Sequence, residues 1–185
     1  MAGCRALKKT EIVKILEVLK TPRDRALFTL GIYSGFRISE LLSLKISDVY
    51  QFGRVVDRVR VSAKYMKGKE RTREVALNAE ARRAIELIVL DIKGGYLFES
   101  REGNGPLSRR QANQILKDAF NSLKLNGKLS SHALRKTYCE AIHKALGGDI
   151  YKTSKAMGHK SVDSTAKYLV IDQSEIDRAV LSLKV

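Results

Sequence analysis

The stretch from Thr21 to Leu44, TPRDRALFTLGIYSGFRISELLSL, carries the start, body and end of one helix and the beginning of another. Thr21 can cap a first turn. Pro22 suits the first helical position, where its missing N–H would have no partner anyway, and Asp24 falls three residues after the cap. The apolar run behind them predicts a helix to about Ser34. Gly35 predicts its stop, because glycine takes the left-handed conformation that closes a helix. A second, short helix fits Ile38 to Leu44. The segment from residue 23 to 45 therefore has a helix-turn-helix look, with Arg37 at the corner.

Upstream, Ile12, Ile15, Leu16 and Leu19 recur at helical spacing over residues 10–20. Downstream the period changes. Val55, Val59, Val61 and Ala63 alternate as strand residues do, Val75 and Leu77 fit another strand, and Lys64 to Arg73, with Gly68 inside it, reads as a hairpin turn and its flanks. Helical spacing returns over residues 79–92 through Ala84, Leu87, Ile88 and Ile92. Tyr96-Leu97-Phe98 is a short apolar piece before a polar loop, Glu99 to Pro106. Ser108 can cap a helix reaching about Leu123. Further helices fit 131–146, 149–157 and 161–170, and an amphipathic stretch at 174–183 carries Ile176, Val180, Leu181 and Leu183. The expected fold class is mainly α with a small antiparallel β-sheet near residue 60. There is no internal repeat and no linker, so residues 1–185 read as a single domain.

The chain carries 35 Lys and Arg against 20 Asp and Glu, a net charge of +15, which favours a polyanionic partner such as nucleic acid over an acidic or neutral one. A hydrophobic fraction of 44% is enough to build a core, so the charge does not signal disorder. Cys4 and Cys139, without a spaced motif, suggest a reducing compartment and no disulfide framework. No apolar run approaches the roughly 20 residues that span a bilayer, and the N-terminus has no signal-peptide core. The expectation is a cytoplasmic protein with no membrane partner.

Several groups suit phosphate chemistry, each with an ordinary alternative. Arg37 can grip phosphate oxygens in a fork, or simply pair with Glu40 three residues on. His132 and Arg135, three apart, share a helix face and can present a proton carrier and a clamp to one ligand; otherwise Ser130 or Ser131 caps a helix and Arg135 is solvated. Gly158-His159 allows a close approach to phosphate, or caps a helix before a surface histidine. Tyr168, nine residues after His159, can attack a phosphate, or sit half-buried with Leu169 and Val170. His143 falls outside this set and reads as structural or surface. No metal-ligand cluster accompanies the groups. Two arginines, two histidines and a tyrosine point to phosphodiester chemistry through a covalent tyrosine intermediate.

Single signals are weak, but their order is specific: G-[hydrophobic]-R-x-S-E, a lysine-bearing hairpin, H-x-x-R, G-H, then Y nine later. This string resembles the signature of the tyrosine recombinases, the lambda-integrase-like phage integrases. SGFRISELLSLKISDV resembles the first arginine box, SSHALRKTYCEAI the H-x-x-R box and MGHKSVDSTAKYL the terminal His–Tyr box. The likeness covers about residues 8–172.

The resemblance implies the catalytic-domain fold and a division of labour. Tyr168 attacks the scissile phosphate, forming a 3′-phosphotyrosyl bond that conserves the phosphodiester energy, so no ATP is needed. A free phenol is only about a thousandth ionised at neutral pH, so neighbours must activate it. By similarity His132 is the base or proton shuttle, Arg37 and Arg135 bind the non-bridging oxygens, and His159 donates a further hydrogen bond. A hairpin lysine protonates the leaving 5′-oxygen: Lys67 beside Gly68 first, Lys69 second, Lys64 third. The cations take the place of a metal, and no cofactor is implied. Lys64, Lys69, Arg71, Arg109, Arg110, Lys136 and Lys160 are candidate DNA-backbone contacts. Many members carry an N-terminal DNA-clamping domain. Here the first catalytic-domain helix begins near residue 10, so the expectation is that this core-binding domain is absent, as in a catalytic fragment or a short relative. The implied partners are double-stranded DNA, further copies of the chain assembling on DNA in a tetrameric synapse through residues 174–183, and accessory DNA-bending proteins. The implied activity is site-specific recombination or integration, as in a mobile element. The alternatives are a type IB topoisomerase-like DNA-relaxing enzyme and a non-catalytic DNA-binding relative.

Overall fold

A computed structural model of the chain describes residues 3–61, 72–92, 95–100, 105–169 and 173–183. Helix α1 spans Lys9–Val18, α2 Pro22–Ser34, α3 Ile38–Leu42 and α4 Ile46–Val49. Strands β1 (Tyr50–Gln51), β2 (Arg54–Val55), β3 (Arg58–Val61) and β4 (Arg73–Ala76) follow, then α5 (Ala79–Val89), α6 (Arg109–Ser122), α7 (Ser131–Ala145), α8 (Ile150–Met157), α9 (Val162–Ala166) and α10 (Gln173–Leu181). Among the described residues the strands form two separate antiparallel pairs, β1–β2 and β3–β4, the latter in the register Val59 opposite Val75 and Val61 opposite Arg73.

Helix α2 is the centre of the molecule. Thr21 Oγ1 accepts the Asp24 N–H at 3.1 Å, Pro22 opens the helix, and Gly35 ends it at φ +60°. It is apolar or small on nearly all sides, as an interior helix must be. Leu27 and Leu30 pack into one cluster with Ile85 and Ile88 of α5, Leu97 and Phe98; Phe28 and Ile32 pack into another with Leu116 and Phe120 of α6 and Leu134 of α7. Each such side chain contributes about 1.5–3 kcal/mol of burial. A Cβ added at Gly31 would lie 2.6 Å from Leu134 Cδ1, so glycine lets α7 pack directly against α2. That close approach carries Arg135, the next residue of α7, to the C-terminal end of α2.

Helix caps explain most boundaries. Asn78 accepts the Ala81 N–H ahead of α5, Ser108 and Gln111 form a reciprocal capping box at α6, and Ser130 and Asp149 cap α7 and α8. Three features differ from the sequence expectation. Residues 45–55 hold an extra helix, α4, and a tight hairpin turning at Phe52-Gly53, both with positive φ. Phe is a poor residue for that conformation and hides the turn from sequence reading. Tyr96-Leu97-Phe98 is not merely a piece before a loop: Leu97 N–H donates to Leu44 O at 2.8 Å, and Leu97 and Phe98 are fully buried. The helix expected over 161–170 covers only Val162–Ala166, after which Tyr168 N–H turns back to Thr165 O at 2.8 Å.

Candidate active site

Two helices, α2 and α8, end in left-handed glycines, Gly35 at φ +60° and Gly158 at φ +63°. Glycine is required at both for φ and for space. A Cβ at Gly35 would stand 2.2 Å from Tyr138 Cδ1, and one at Gly158 would stand 2.8 Å from Arg73 Cδ. The unpaired carbonyls of these helix ends are met by two buried arginines. Arg135 donates through Nη1 to Gly35 O and through Nη2 to Met157 O at 2.8 Å. Arg73 donates to Gly35 O at 3.1 Å, Ser34 O at 2.9 Å and Ala156 O at 2.8 Å. The negative ends of both helix dipoles thus hold two guanidiniums in place.

Arg37 completes the group. As the sequence alternative allowed, it pairs with Glu40, Nη1 to Oε1 at 2.7 Å, and Glu40 also accepts the Arg37 N–H at 2.9 Å. Pairing with Glu40 does not remove it from the site. Glu40 is fully buried and lies 3.8 Å from Arg73 as well. One carboxylate therefore faces two guanidiniums, and its charge also supports that of Arg135. Arg73 is pushed down to about 10, by burial first and then by the Arg135 charge, and Arg135 is lowered by burial and by Arg37. Both Nε atoms, of Arg73 and of Arg135, are buried without a hydrogen-bond partner among the described residues. Arg135 is buried, not solvated as a bare capped helix start would leave it. Glu40→Ala is expected to leave the cluster without its counter-charge and to cost about 3–5 kcal/mol, read as a lowered urea midpoint; a midpoint within experimental error of wild type would contradict the burial account.

The histidines and the tyrosine stand beside this cluster. The His159 and Tyr168 rings lie 5.4 Å apart, and the Arg135 guanidinium carbon is 6.0 Å from the Tyr168 ring centre. His159 Nδ1 is 2.7 Å from Thr165 Oγ1, and its backbone N–H closes α8 on Ser154 O at 3.0 Å. Burial, then the charges of Arg135, Arg37 and Arg73, push His159 down to about 4. His132, on the exposed first turn of α7, is also lowered, by partial desolvation of the ring and then by Arg135, Arg37 and Arg109. Both imidazoles are therefore neutral at physiological pH. Because the folded value for His159 lies below the ordinary 6.5, the unfolded chain binds the extra proton between those values, and stability falls as pH drops from about 6.5 to about 4. In His159→Gln the decline over that window is expected to be shallower than in wild type, by urea melts at stepped pH; parallel declines would contradict the assignment.

The sequence-chosen residues divide clearly. Arg37, His132, Arg135, His159 and Tyr168 converge around one cluster. Lys64, Lys67, Lys69 and Arg71 lie outside the described residues. Arg109 and Arg110 are exposed at the start of α6, Lys160 is exposed just after His159, and Lys136 is half-buried on α7. His143 is structural, its Nδ1 3.0 Å from buried Thr153 Oγ1. Sequence reasoning missed Arg73, Thr165 and the burial of Glu40. A signal for Arg73 was present: in β4 it shares the inward register with Val75, and a charge on an apolar strand face needs a partner. Thr165 left no such signal. No group of three or more His, Cys, Asp or Glu stands together among the described residues.

Residues 5–175 match the sequence pattern of the phage integrase family. The chain belongs to this family of tyrosine recombinases. Among curated proteins it is 31% identical over 170 residues to the probable integrase/recombinase YoeC of Bacillus subtilis, covering 91% of this chain and 89% of that protein. It is 35% identical over 152 residues to the tyrosine recombinase XerC of Pelobacter propionicus, covering 79% of this chain but 47% of that one. The chain thus spans about half the length of that XerC, although it covers most of YoeC. Among tyrosine recombinases of known structure, the XerA recombinase superposes with a TM-score of 0.78 at 23% identity, covering 98% of this chain and 65% of that one. A lambda integrase dimer bound to a COC′ core site gives 0.73 at 17% identity, covering 91% and 48%. At those identities the likeness establishes the fold. No helix among the described residues is long and apolar enough to cross a membrane.

Proposed function

We propose that this chain cleaves and rejoins double-stranded DNA at specific sites, with Tyr168 as nucleophile. The observation that carries the reading is the cluster itself: Arg37 and Arg73 share one buried carboxylate, Arg135 is held beside them on main-chain carbonyls, and the Tyr168 ring lies beside Arg135. Such a cluster attracts a phosphate, and the nearness of the Tyr168 ring supports its reading as the attacking group. The Tyr168 oxygen forms a bond to phosphorus as the bond to the 5′-oxygen breaks. His132 takes the phenol proton, Lys67 gives one to the leaving oxygen, and Arg37, Arg135 and His159 hold the non-bridging oxygens. Attack by a 5′-hydroxyl, from the same or a partner strand, reverses the step and frees Tyr168, so neither ATP nor a cofactor is consumed.

Relatives of known structure are described as acting on DNA. One is XerH bound to its difH substrate in a pre-cleavage complex, another the Tn1549 transposon integrase with circular intermediate DNA. Integration or excision of a mobile element, in the cytoplasm and on the nucleoid, fits this company. The exposure of Arg109, Arg110 and Lys160 supports their reading as contacts to the DNA backbone. The apolar side chains of α10, Ile176, Val180 and Leu181, are exposed, as is Leu183 just beyond it. That uncovered face favours copies assembling on DNA over the solitary action of a type IB topoisomerase. A nicked duplex that traps the cleaved strand tests the reading: a covalent protein–DNA adduct is expected, and its absence on duplexes carrying the chain's own recombination site would overturn it.

A further inference from the structure

The hydroxyl of Thr165 bears on which nitrogen of His159 carries the proton. Thr165 is fully buried on α9. Its backbone carbonyl receives the Tyr168 N–H at 2.8 Å, and its Oγ1 stands 2.7 Å from His159 Nδ1. Either atom of that short contact can in principle be the donor. Among the described residues, however, His159 Nδ1 is the only hydrogen-bond partner of the Thr165 hydroxyl. A buried hydroxyl keeps its hydrogen bonded. If Nδ1 carried the ring proton and donated it, the hydroxyl hydrogen would be left facing protein with nothing to accept it.

Resting on the reading of the site as a phosphate-cleaving centre, we propose that Thr165 is a positioning residue: its hydroxyl donates to His159 Nδ1 and so fixes the ring proton on Nε2. Nε2 of His159 is then an N–H donor, not a base. The surrounding charge keeps the ring neutral and leaves the choice of tautomer to Thr165. Arg135, Arg37 and Arg73 oppose a cationic imidazole, and His159 is neutral well below physiological pH. A neutral ring offers either one donor or one acceptor at its free nitrogen, and the choice is made at the other nitrogen. The same residue thereby holds two partners in register: the ring of His159 through its side chain and the backbone of Tyr168 through its carbonyl.

The test reads the tautomer without DNA, so it stands whether or not the chain cleaves. Long-range ¹H–¹⁵N correlation spectra at neutral pH, with His159 assigned from the spectrum of His159→Gln, are expected to show Nδ1 unprotonated and hydrogen-bonded and Nε2 protonated. A protonated Nδ1 in the wild-type protein overturns the proposal. Thr165→Val, which keeps shape but removes the hydroxyl, is expected to shift Nδ1 toward its unbonded position and to slow single-turnover cleavage about tenfold through loss of ring placement. Thr165→Ser is expected to restore both. A Thr165→Val protein with an unshifted Nδ1, or a serine variant no closer to wild type than the valine one, would equally defeat it.

Discussion

Tyr168→Phe is expected to leave the protein folded and bound to DNA, with no covalent adduct on a nicked duplex. The fall in adduct should be on the order of 10⁴ or more, because the substitution deletes the proposed nucleophile. The substitution is informative because it removes so little else. The ring that faces His159 at 5.4 Å and Arg135 at 6.0 Å is retained. The backbone N–H that turns back to Thr165 O is untouched. Only the support that the Tyr168 hydroxyl gives the Arg135 charge is lost. Thermal midpoint and DNA affinity should therefore stay close to wild type, which separates lost chemistry from lost structure. An undiminished adduct in Tyr168→Phe would move the nucleophile to another residue.

Arg135→Lys is expected to lose both chemistry and stability. Arg135 is 1% exposed, and its guanidinium spans the ends of two helices, from Gly35 O to Met157 O. Lysine is a point charge on a flexible stem and has no planar fork to reach both carbonyls at once. Gly35 O keeps Arg73 as a donor, but Met157 O loses its arginine, and a carbonyl left buried without a donor costs about 1–3 kcal/mol. The ammonium also leaves α2 and α8 without one of the two arginines that join them, so the walls of the site should drift apart. Cleavage per folded molecule is expected to fall by about 10²–10³, the usual loss when one donor to a developing oxyanion is removed. The measurement is single-turnover adduct formation, well below the variant's own unfolding midpoint. A lysine variant with wild-type cleavage would show that Arg135 is a strut only.

What the sequence revealed, and what it hid, follows from the range of each interaction. The α2 boundaries were readable because Thr21, Pro22, Asp24 and Gly35 act within one turn of the chain. The Ser108–Gln111 box is equally local. Arg37, His132, Arg135, His159 and Tyr168 were readable because their order and spacing form a family signature. Arg73 was not, because its partners at Ser34, Gly35 and Ala156 lie 38 to 83 residues away and are backbone atoms, which carry no residue identity. The early end of α9 and the Thr165–His159 contact depend on how α8 and α9 pack, which no local pattern records. The hairpin at Phe52 was hidden because the residue there contradicts the turn rules it obeys. The lysine hairpin expected around Lys67 lies outside the described residues.

The anchoring of Arg73 and Arg135 on main-chain oxygens also bears on sequence divergence. Four carbonyls, of Ser34, Gly35, Ala156 and Met157, orient these guanidiniums. No point mutation deletes a carbonyl, so the frame tolerates drift in most surrounding side chains provided the chain keeps its path. That path depends chiefly on two glycines, Gly35 and Gly158, where any other residue meets both strain and a collision. A backbone frame of this kind can persist in chains that share little sequence. It is consistent with a fold that superposes at TM-scores of 0.73 to 0.78 on structures only 16% to 23% identical.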